Sequence, residues 1–335
     1  RCPLHTPRSL SFSAPLKSPA HEEVKQPLRR WDLSVSPFTT VRAQIGCNIS
    51  IHPLDPHTYP EADRAFITVH GPDKEQEVSL DRLKVHYDDR SKELLISAET
   101  VDSDVSIEMS APIKSLFITT QGKGSVQVKN MECDICKVRT EKGNCLLHSV
   151  KAHQVEVQSH EGHVTGVGTI NGNVVISTGG DSAVDVKKLQ GTKMNVSTEH
   201  GPLKVKAIYA ESTCISSRSG RVNLGHVHRV QDGSNSFLKV SSDSGGIDVY
   251  VGDGGSAELH AVSVRVPSSL RAGVRLCGTS VDISPEVVLH GVENNTSEGH
   301  TTVTYMNVES PANQWVKAQA DRGSIRLTVQ SWFES

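Results

Sequence analysis

The sequence predicts an all-β fold: a single-domain β-solenoid of stacked ~19-residue strand-turn-strand rungs with irregular capping ends. Three observations carry this. A turn that starts on a small hydroxyl residue and ends on glycine recurs through the middle of the chain. Apolar and polar residues alternate on both sides of it. Of 335 residues, 36% are apolar and only 4% aromatic, so the core has to be assembled from many small aliphatic side chains.

The turn appears as Gln121-Gly-Lys-Gly124-Ser-Val126, Thr140-Glu-Lys-Gly143-Asn-Cys145 and Ser159-His-Glu-Gly162-His-Val164. It continues as Ser177-Thr-Gly-Gly180-Asp-Ser182, Thr198-Glu-His-Gly201-Pro-Leu203, Ser217-Arg-Ser-Gly220-Arg-Val222 and Ser242-Asp-Ser-Gly245-Gly-Ile247, with a distant copy at Ala320-Asp-Arg-Gly323-Ser-Ile325. The first seven glycines are spaced by 19, 19, 18, 21, 19 and 25 residues. Glycine suits such a turn because it tolerates the positive φ of a tight reversal. Two residues after it stand Val126, Cys145, Val164, Leu203, Val222 and Ile247; five before it stand Val138, Val157, Val196, Ile215 and Val240. That alternation is the two-residue period of a strand. One unit cannot bury its apolar face alone, but stacked units bury a continuous column. A twisted β-sandwich of hairpins is the alternative, and the single glycine per unit favours the solenoid. Polar links such as "NMECD" and "SVKAHQ" are expected to join one rung to the next.

Taken in order, residues 1–36 are expected to be a leader, either a transit or a disordered segment. Residues 1–21 contain no Asp or Glu but carry Arg1, Arg8 and Lys17, the bias of a mitochondrial transit segment. Pro3, Pro7, Pro15 and Pro19 oppose a continuous helix there. Residues 37–112 hold "TTVRAQIGCNISI", "RAFITVHG", "LKVHY" and "ELLISA", read as irregular rungs with charged turns. Residues 113–255 are the regular rungs. Residues 256–335 resume the pattern in "SAELHAVSVRV", "TSVDIS", "TTVTYMNV" and "SIRLTV" and form the other cap. Caps are expected because an open sheet edge recruits other chains.

"VSIEMSAPIKSLFITTQGKGSVQV", the repeats from Thr140 to Val249, and the terminal "VKAQADRGSIRLTV" resemble the putative adhesins, a bacterial family of β-solenoid-like domains. The resemblance covers residues 37–330. It implies a β-solenoid and a mitochondrial address, and it supplies no catalytic residues to carry over.

The net charge is −3 and no basic stripe is present, so nucleic acid is not an expected partner. No apolar run approaches the ~20 residues of a membrane-spanning helix, so no transmembrane segment is expected. The seven cysteines, Cys2, Cys47, Cys133, Cys136, Cys145, Cys214 and Cys277, are odd in number and irregular in spacing. That favours reduced thiols over a disulfide framework. Sequons stand at Asn48, Asn195 and Asn294 and matter only in a secreted protein.

Cys133-Asp-Ile-Cys136 is the sharpest local signal, because CxxC is half of a zinc site or a redox pair. Core thiols are the favoured reading: Cys145, the nearest further ligand, falls in the apolar column, and no helix follows the motif. His160 and His163 flank Gly162, where aligned turns would bring them toward Glu141 or His200; they are the other metal candidates, set against solvated turn histidines. His226 and His228 share one side of a strand without an identifiable third ligand. "SSDSGGIDVYVGDGGSAEL" has the Asp/Gly density of calcium-binding β-rolls but not their repeat. No cofactor and no catalytic residue is expected. The function expected is a non-catalytic scaffold or binding module for an unknown protein or glycan partner, in mitochondria rather than cytoplasmic or secreted. The alternatives are a polysaccharide-cleaving solenoid enzyme, for which Asp181, Asp185 and Asp243 are the candidate carboxylates, and a secreted adhesion protein.

Overall fold

The structure, a computed structural model, describes residues 27–71, 83–98, 105–228, 237–252, 256–260, 263–268, 270, 272–287, 293–297, 300–305, 315–320 and 324–330. Residues 1–26 of the expected leader and the Gly323 turn lie outside the described residues. The remainder of that leader differs from expectation: Pro27–Ser34 is the first strand, β1. Leu28, Trp31 and Leu33 of β1 are half-buried and pack on the core.

The described residues form twenty-four strands. The first eight are β1, β2 (Thr40–Ile45), β3 (Asn48–Pro53), β4 (Arg64–His70), β5 (Leu83–Asp88), β6 (Glu93–Ala98), β7 (Ser106–Ala111) and β8 (Ser115–Thr120). Five long strands follow, each of 15 residues: β9 (Val126–Thr140), β10 (Cys145–Ser159), β11 (Val164–Thr178), β12 (Val184–Thr198) and β13 (Leu203–Ser217). They stack in parallel, so that Cys145 pairs with Val126 below it and Val164 above. The core column runs Val126, Cys145, Val164, Val184, Leu203, Val222, Ile247, and none of its members is more than 1% exposed.

Each long strand bends in its middle, and at the N-terminal end its two halves find different partners: the first half of β9 pairs with β3 and the second half with β8. Asn130 and Ser149, with φ of 48° and 49°, start the bend in β9 and β10. The polar links expected between rungs are therefore the bent middles of continuous strands. Their inner positions, Met131, Val150, Ile170, Leu189 and Ile208, form a second buried column along the corner.

The turn motif has a different physical basis from the expected one. A Cβ on Gly143 would overlap the Gly124 carbonyl, one on Gly162 the Gly143 carbonyl, and one on Gly220 the Gly201 carbonyl. None of these three carries the positive φ found at Gly122 and Gly180. Glycine is needed there because the rung beneath stacks its backbone against that Cα. The hydroxyl residue that opens the turn points inward: Thr140, Ser159, Thr178, Thr198 and Ser217 are all buried. Ser159 Oγ accepts the Gly162 N–H at 2.9 Å, donates to the Gly162 carbonyl at 2.6 Å, and accepts from Thr140 Oγ1 at 2.9 Å. The turn after β11 contains one extra residue, so Ser182, not Gly180, occupies the glycine place beneath Gly201.

Beyond β13 the rung splits into β14 (Val222–His228) and β15 (Phe237–Ser242), followed by β16 (Ile247–Val251), β17 (Ser256–Leu259), β18 (Ser263–Val266), β19 (Gly273–Gly278), β20 (Ser280–Ile283), β21 (Glu293–Ser297), β22 (His300–Tyr305), β23 (Trp315–Gln319) and β24 (Ser324–Val329). Stack order departs from chain order at both ends. β2 lies between β6 and β8, and β3 between β7 and β9. Likewise β23 lies between β17 and β19, and β24 between β18 and β20. Antiparallel strands close the stack, β4 on β7 and β5 on β6 at one end, β22 on β19 at the other.

Candidate functional site

Alternation sends every second side chain of β3, β7 and the first halves of β9 and β10 outward. Near the N-terminal end these outward residues line a groove of about 580 Å³. Asn48 and Ser50 come from β3, Ser106 and Glu108 from β7, Gln127 and Lys129 from β9, Leu146 from β10, and His70 reaches in from β4. Glu108 sits between two imidazoles. His52 Nε2 is 3.3 Å from one carboxylate oxygen and His70 Nε2 is 3.5 Å from the other. The rim is fixed by asparagines that bridge rungs: Asn48 Oδ1 accepts the Ser125 N–H at 2.8 Å and Asn144 Oδ1 accepts the His163 N–H at 3.0 Å. Chemically, the groove offers a carboxylate, an ammonium group, an imidazole and amides on a paired sheet. That set suits hydrogen bonding to a polar partner.

Of the residues singled out in the sequence, Cys133 and Cys136 both lie in the middle of β9. Cys136 is fully buried, whereas Cys133 is half-buried and donates to the Ile135 carbonyl at 3.4 Å. The influence of Cys136 pulls Cys133 below the ordinary thiol range, and the influence of Cys133 together with burial holds Cys136 well above it. Burial pushes Cys145 and Cys47 up to about 12.

His160 and His163 are both exposed in their turn. His163 Nδ1 accepts the Ala183 N–H at 2.9 Å. Glu141 reaches the Gly122 N–H at 2.7 Å, and Glu199 reaches the Gly180 N–H at 2.9 Å. That hydrogen bond is the main cause holding Glu199 below the usual carboxylate range. His200 Nδ1 lies 2.8 Å from Ser219 Oγ. Among the described residues no group of three or more His, Cys, Asp or Glu is placed to hold a metal ion. Asp181 and Asp243 lie in turns, whereas Asp185 points outward from β12 beside Lys204.

His226 and His228 belong to a ladder the sequence reading missed. Lys188 Nζ lies 4.7 Å from the Tyr209 ring, Tyr209 stacks on His228 at 5.0 Å, His228 on His226 at 5.9 Å, and Tyr250 meets His226 edge-on at 5.0 Å. Burial first, then the charges of Arg265 and Lys206, keep His226 below its ordinary value. Rung register was the available signal, since it pairs Tyr209 with His228 and His226 with Tyr250.

A family model described as Toastrack DUF4097 matches residues 154–328, slightly more than half of the 335 residues. A putative lipid binding protein from Parabacteroides distasonis is 14% identical, with 71% of this chain and 92% of that one covered and a TM-score of 0.45. A putative adhesin from Parabacteroides merdae is 11% identical over 90% of this chain and 96% of that one, with a TM-score of 0.38. A second putative adhesin, from Bacteroides fragilis, is 15% identical over 90% and 95% respectively, with a TM-score of 0.34.

Proposed function

The chain belongs to the Toastrack DUF4097 family, and we propose that it is a non-catalytic β-solenoid scaffold whose outer face binds a protein or glycan partner inside mitochondria. The observation that carries the binding role is the groove over β3, β7, β9 and β10. It joins groups of both charges and neutral amides on strands whose backbones are locked into parallel ladders, and rigid presentation lowers the ordering cost of association. The mitochondrial address is supported by the acid-free, Arg- and Lys-bearing residues 1–21.

Two experiments test this. Endogenous protein should co-fractionate with matrix markers and resist added protease in intact mitochondria. Glycosidase-sensitive mass at Asn195 or Asn294 would place it in the secretory route instead. For the groove, a photo-cross-linker at Gln127 should capture one discrete partner from mitochondria. Glu108→Lys with Lys129→Glu should abolish that capture without altering thermal stability. Capture unchanged by the charge reversal would remove the groove from the binding role.

A further inference from the structure

We propose that the outward face of β12 and β13 docks on a membrane surface that carries anionic lipid. The groove is a separate site, and this inference stands whether or not the groove takes a partner.

The sequence scatters its cations, and stacking gathers some of them. Val186 pairs with Val205 and Lys188 with Ala207, so Lys187 and Lys206, both exposed, stand opposite each other across one ladder. Like charges placed so destabilise a sheet. Exposed Lys204 lies two residues before Lys206 on the same face of β13, and Lys188 Nζ reaches over the Tyr209 ring. Elsewhere lysines take a carboxylate from the next rung: Lys137 meets Glu156 at 2.9 Å, Lys142 meets Glu161 at 3.4 Å and Lys151 meets Glu132 at 2.6 Å. Among the described residues, Lys187, Lys188, Lys204 and Lys206 form no ion pair. Asp185, beside Lys204 in the register, is the acid that opposes their field.

The row continues down the stack. Gly166 pairs with Val186, which sets Val167 of β11 beside Lys187. Leu147 pairs with Gly166, which sets His148 of β10 beside Val167, and His148 pairs with Lys129 of β9. From Lys129 to Lys206 the row contains no carboxylate. At about 4.8 Å per rung it spans about 19 Å. Val167 is 41% exposed among these cations.

The chemistry selects a lipid surface over an acidic protein or a nucleic acid. Lysine is a point charge on a flexible stem, whereas the planar fork of arginine serves bidentate recognition. Lysine is also depleted at protein interfaces. β11, β12 and β13 are hydrogen-bonded on both sides, so an extended peptide finds no free edge there. The rings beside the patch, Tyr209, His228 and His226, are covered by one another, by Lys188 and by Tyr250, so bases have no open face to stack on. Val167 adds an apolar side chain that a headgroup layer can accept.

Sedimentation with vesicles is the test. Vesicles of equal parts phosphatidylcholine and phosphatidylglycerol should carry the protein down, and phosphatidylcholine alone should not. Binding should be lost between about 0.1 M and about 1 M salt, as the screening length falls from about 10 Å to about 3 Å. A lysine near an anionic surface strengthens binding about fivefold, so Lys187→Gln with Lys206→Gln should weaken it about 30-fold. That variant should unfold at or above the wild-type temperature, since it removes a like-charge pair. Lys239→Gln with Lys317→Gln makes the same charge change at exposed lysines of β15 and β23 and should bind as wild type does. Val167→Ser should weaken vesicle binding. The proposal is overturned by failure to sediment with anionic vesicles, by equal binding to neutral ones, by equal loss in both double variants, or by a lowered unfolding temperature in the first. It is also overturned if soluble polyglutamate or single-stranded DNA binds as tightly as the vesicles and is indifferent to Val167→Ser, which would assign the lysines to an acidic protein or a nucleic acid.

Discussion

Replacing Gly162 with alanine tests why the turns contain glycine. The added Cβ would overlap the Gly143 carbonyl and come within 3.0 Å of Ser159 Oγ. Neither is the free end of a flexible side chain: the carbonyl belongs to a stacked turn, and the hydroxyl is buried and holds the Gly162 N–H. Overpacking typically costs about 1–3 kcal/mol, and a backbone obstacle places this site at the upper end, about 3 kcal/mol. With about 2 cal/mol/K of unfolding entropy per residue, a chain of this size moves its Tm by roughly 1.5 °C per kcal/mol, so the expected loss is roughly 4 °C. Two controls separate this cause from backbone conformation. Gly122 has φ of +58° and open space around its Cα, so Gly122→Ala should cost about 1 kcal/mol from the left-handed conformation alone. Gly246 has open space and no such φ, so Gly246→Ala should be neutral or stabilising by about 0.5 kcal/mol. Urea and thermal unfolding of the three variants give the order. If Gly162→Ala matched Gly246→Ala, close approach of the rungs would be the wrong reason for the motif.

Val222 is fully buried in the core column and Arg221 beside it is exposed, so Val222→Asp should cost more than about 4 kcal/mol and Arg221→Asp less than about 1; equal losses in Tm would mean the register is wrong. Ser159→Ala strands the buried Gly162 N–H and should destabilise by about 1–3 kcal/mol in urea unfolding. Cys145→Val should hold stability at pH 7 to within about 1 kcal/mol. Burial raises the folded-state thiols of Cys47 and Cys145 from an ordinary 9.0 to about 12. The stability that comes from keeping them protonated is therefore complete below pH 9 and is lost as pH rises toward 12. Cys145→Val should accordingly move the alkaline unfolding midpoint upward, as followed by circular dichroism.

The pitch and the inward column were legible because period-two alternation leaves little choice of which side chain faces in. Cys145 and Val222 could be assigned to the core without coordinates. The reason for the glycines was not legible, since a residue with positive φ and one that must admit a neighbouring carbonyl look alike in a sequence. Ser182 in the glycine place hid the register of its rung for the same reason, and Gly180 next to it offered a plausible false anchor. Corner residues such as Asn130 and Glu132 read as loop because they face solvent while their backbones pair in ladders. The stacked order of β2 and β3 was beyond reach: Thr40 pairs with Ser115, and no periodicity reports a partner so far along the chain. In the candidate site, alignment of the turns could be foreseen, but not that His163 would be committed to the Ala183 amide. The groove depends on β3 and β7 coming alongside β9, which is again a long-range pairing.

The interleaving of the terminal rungs has a consequence for the timing of folding. During synthesis the rungs from β9 onward can stack in the order in which they leave the ribosome, each laid on the one before. The place between β17–β18 and β19–β20 stays open until β23 and β24 have been made and arrive to occupy it. β19 and β20 therefore cannot reach their final seat before β23 and β24 have followed them, and that step is an insertion between two layers. The same arrangement protects the finished molecule from unravelling. A pull on β2 or β24 has to shear two ladders at once, because each is gripped on both sides, whereas a strand at the rim of an ordinary stack can be peeled from one.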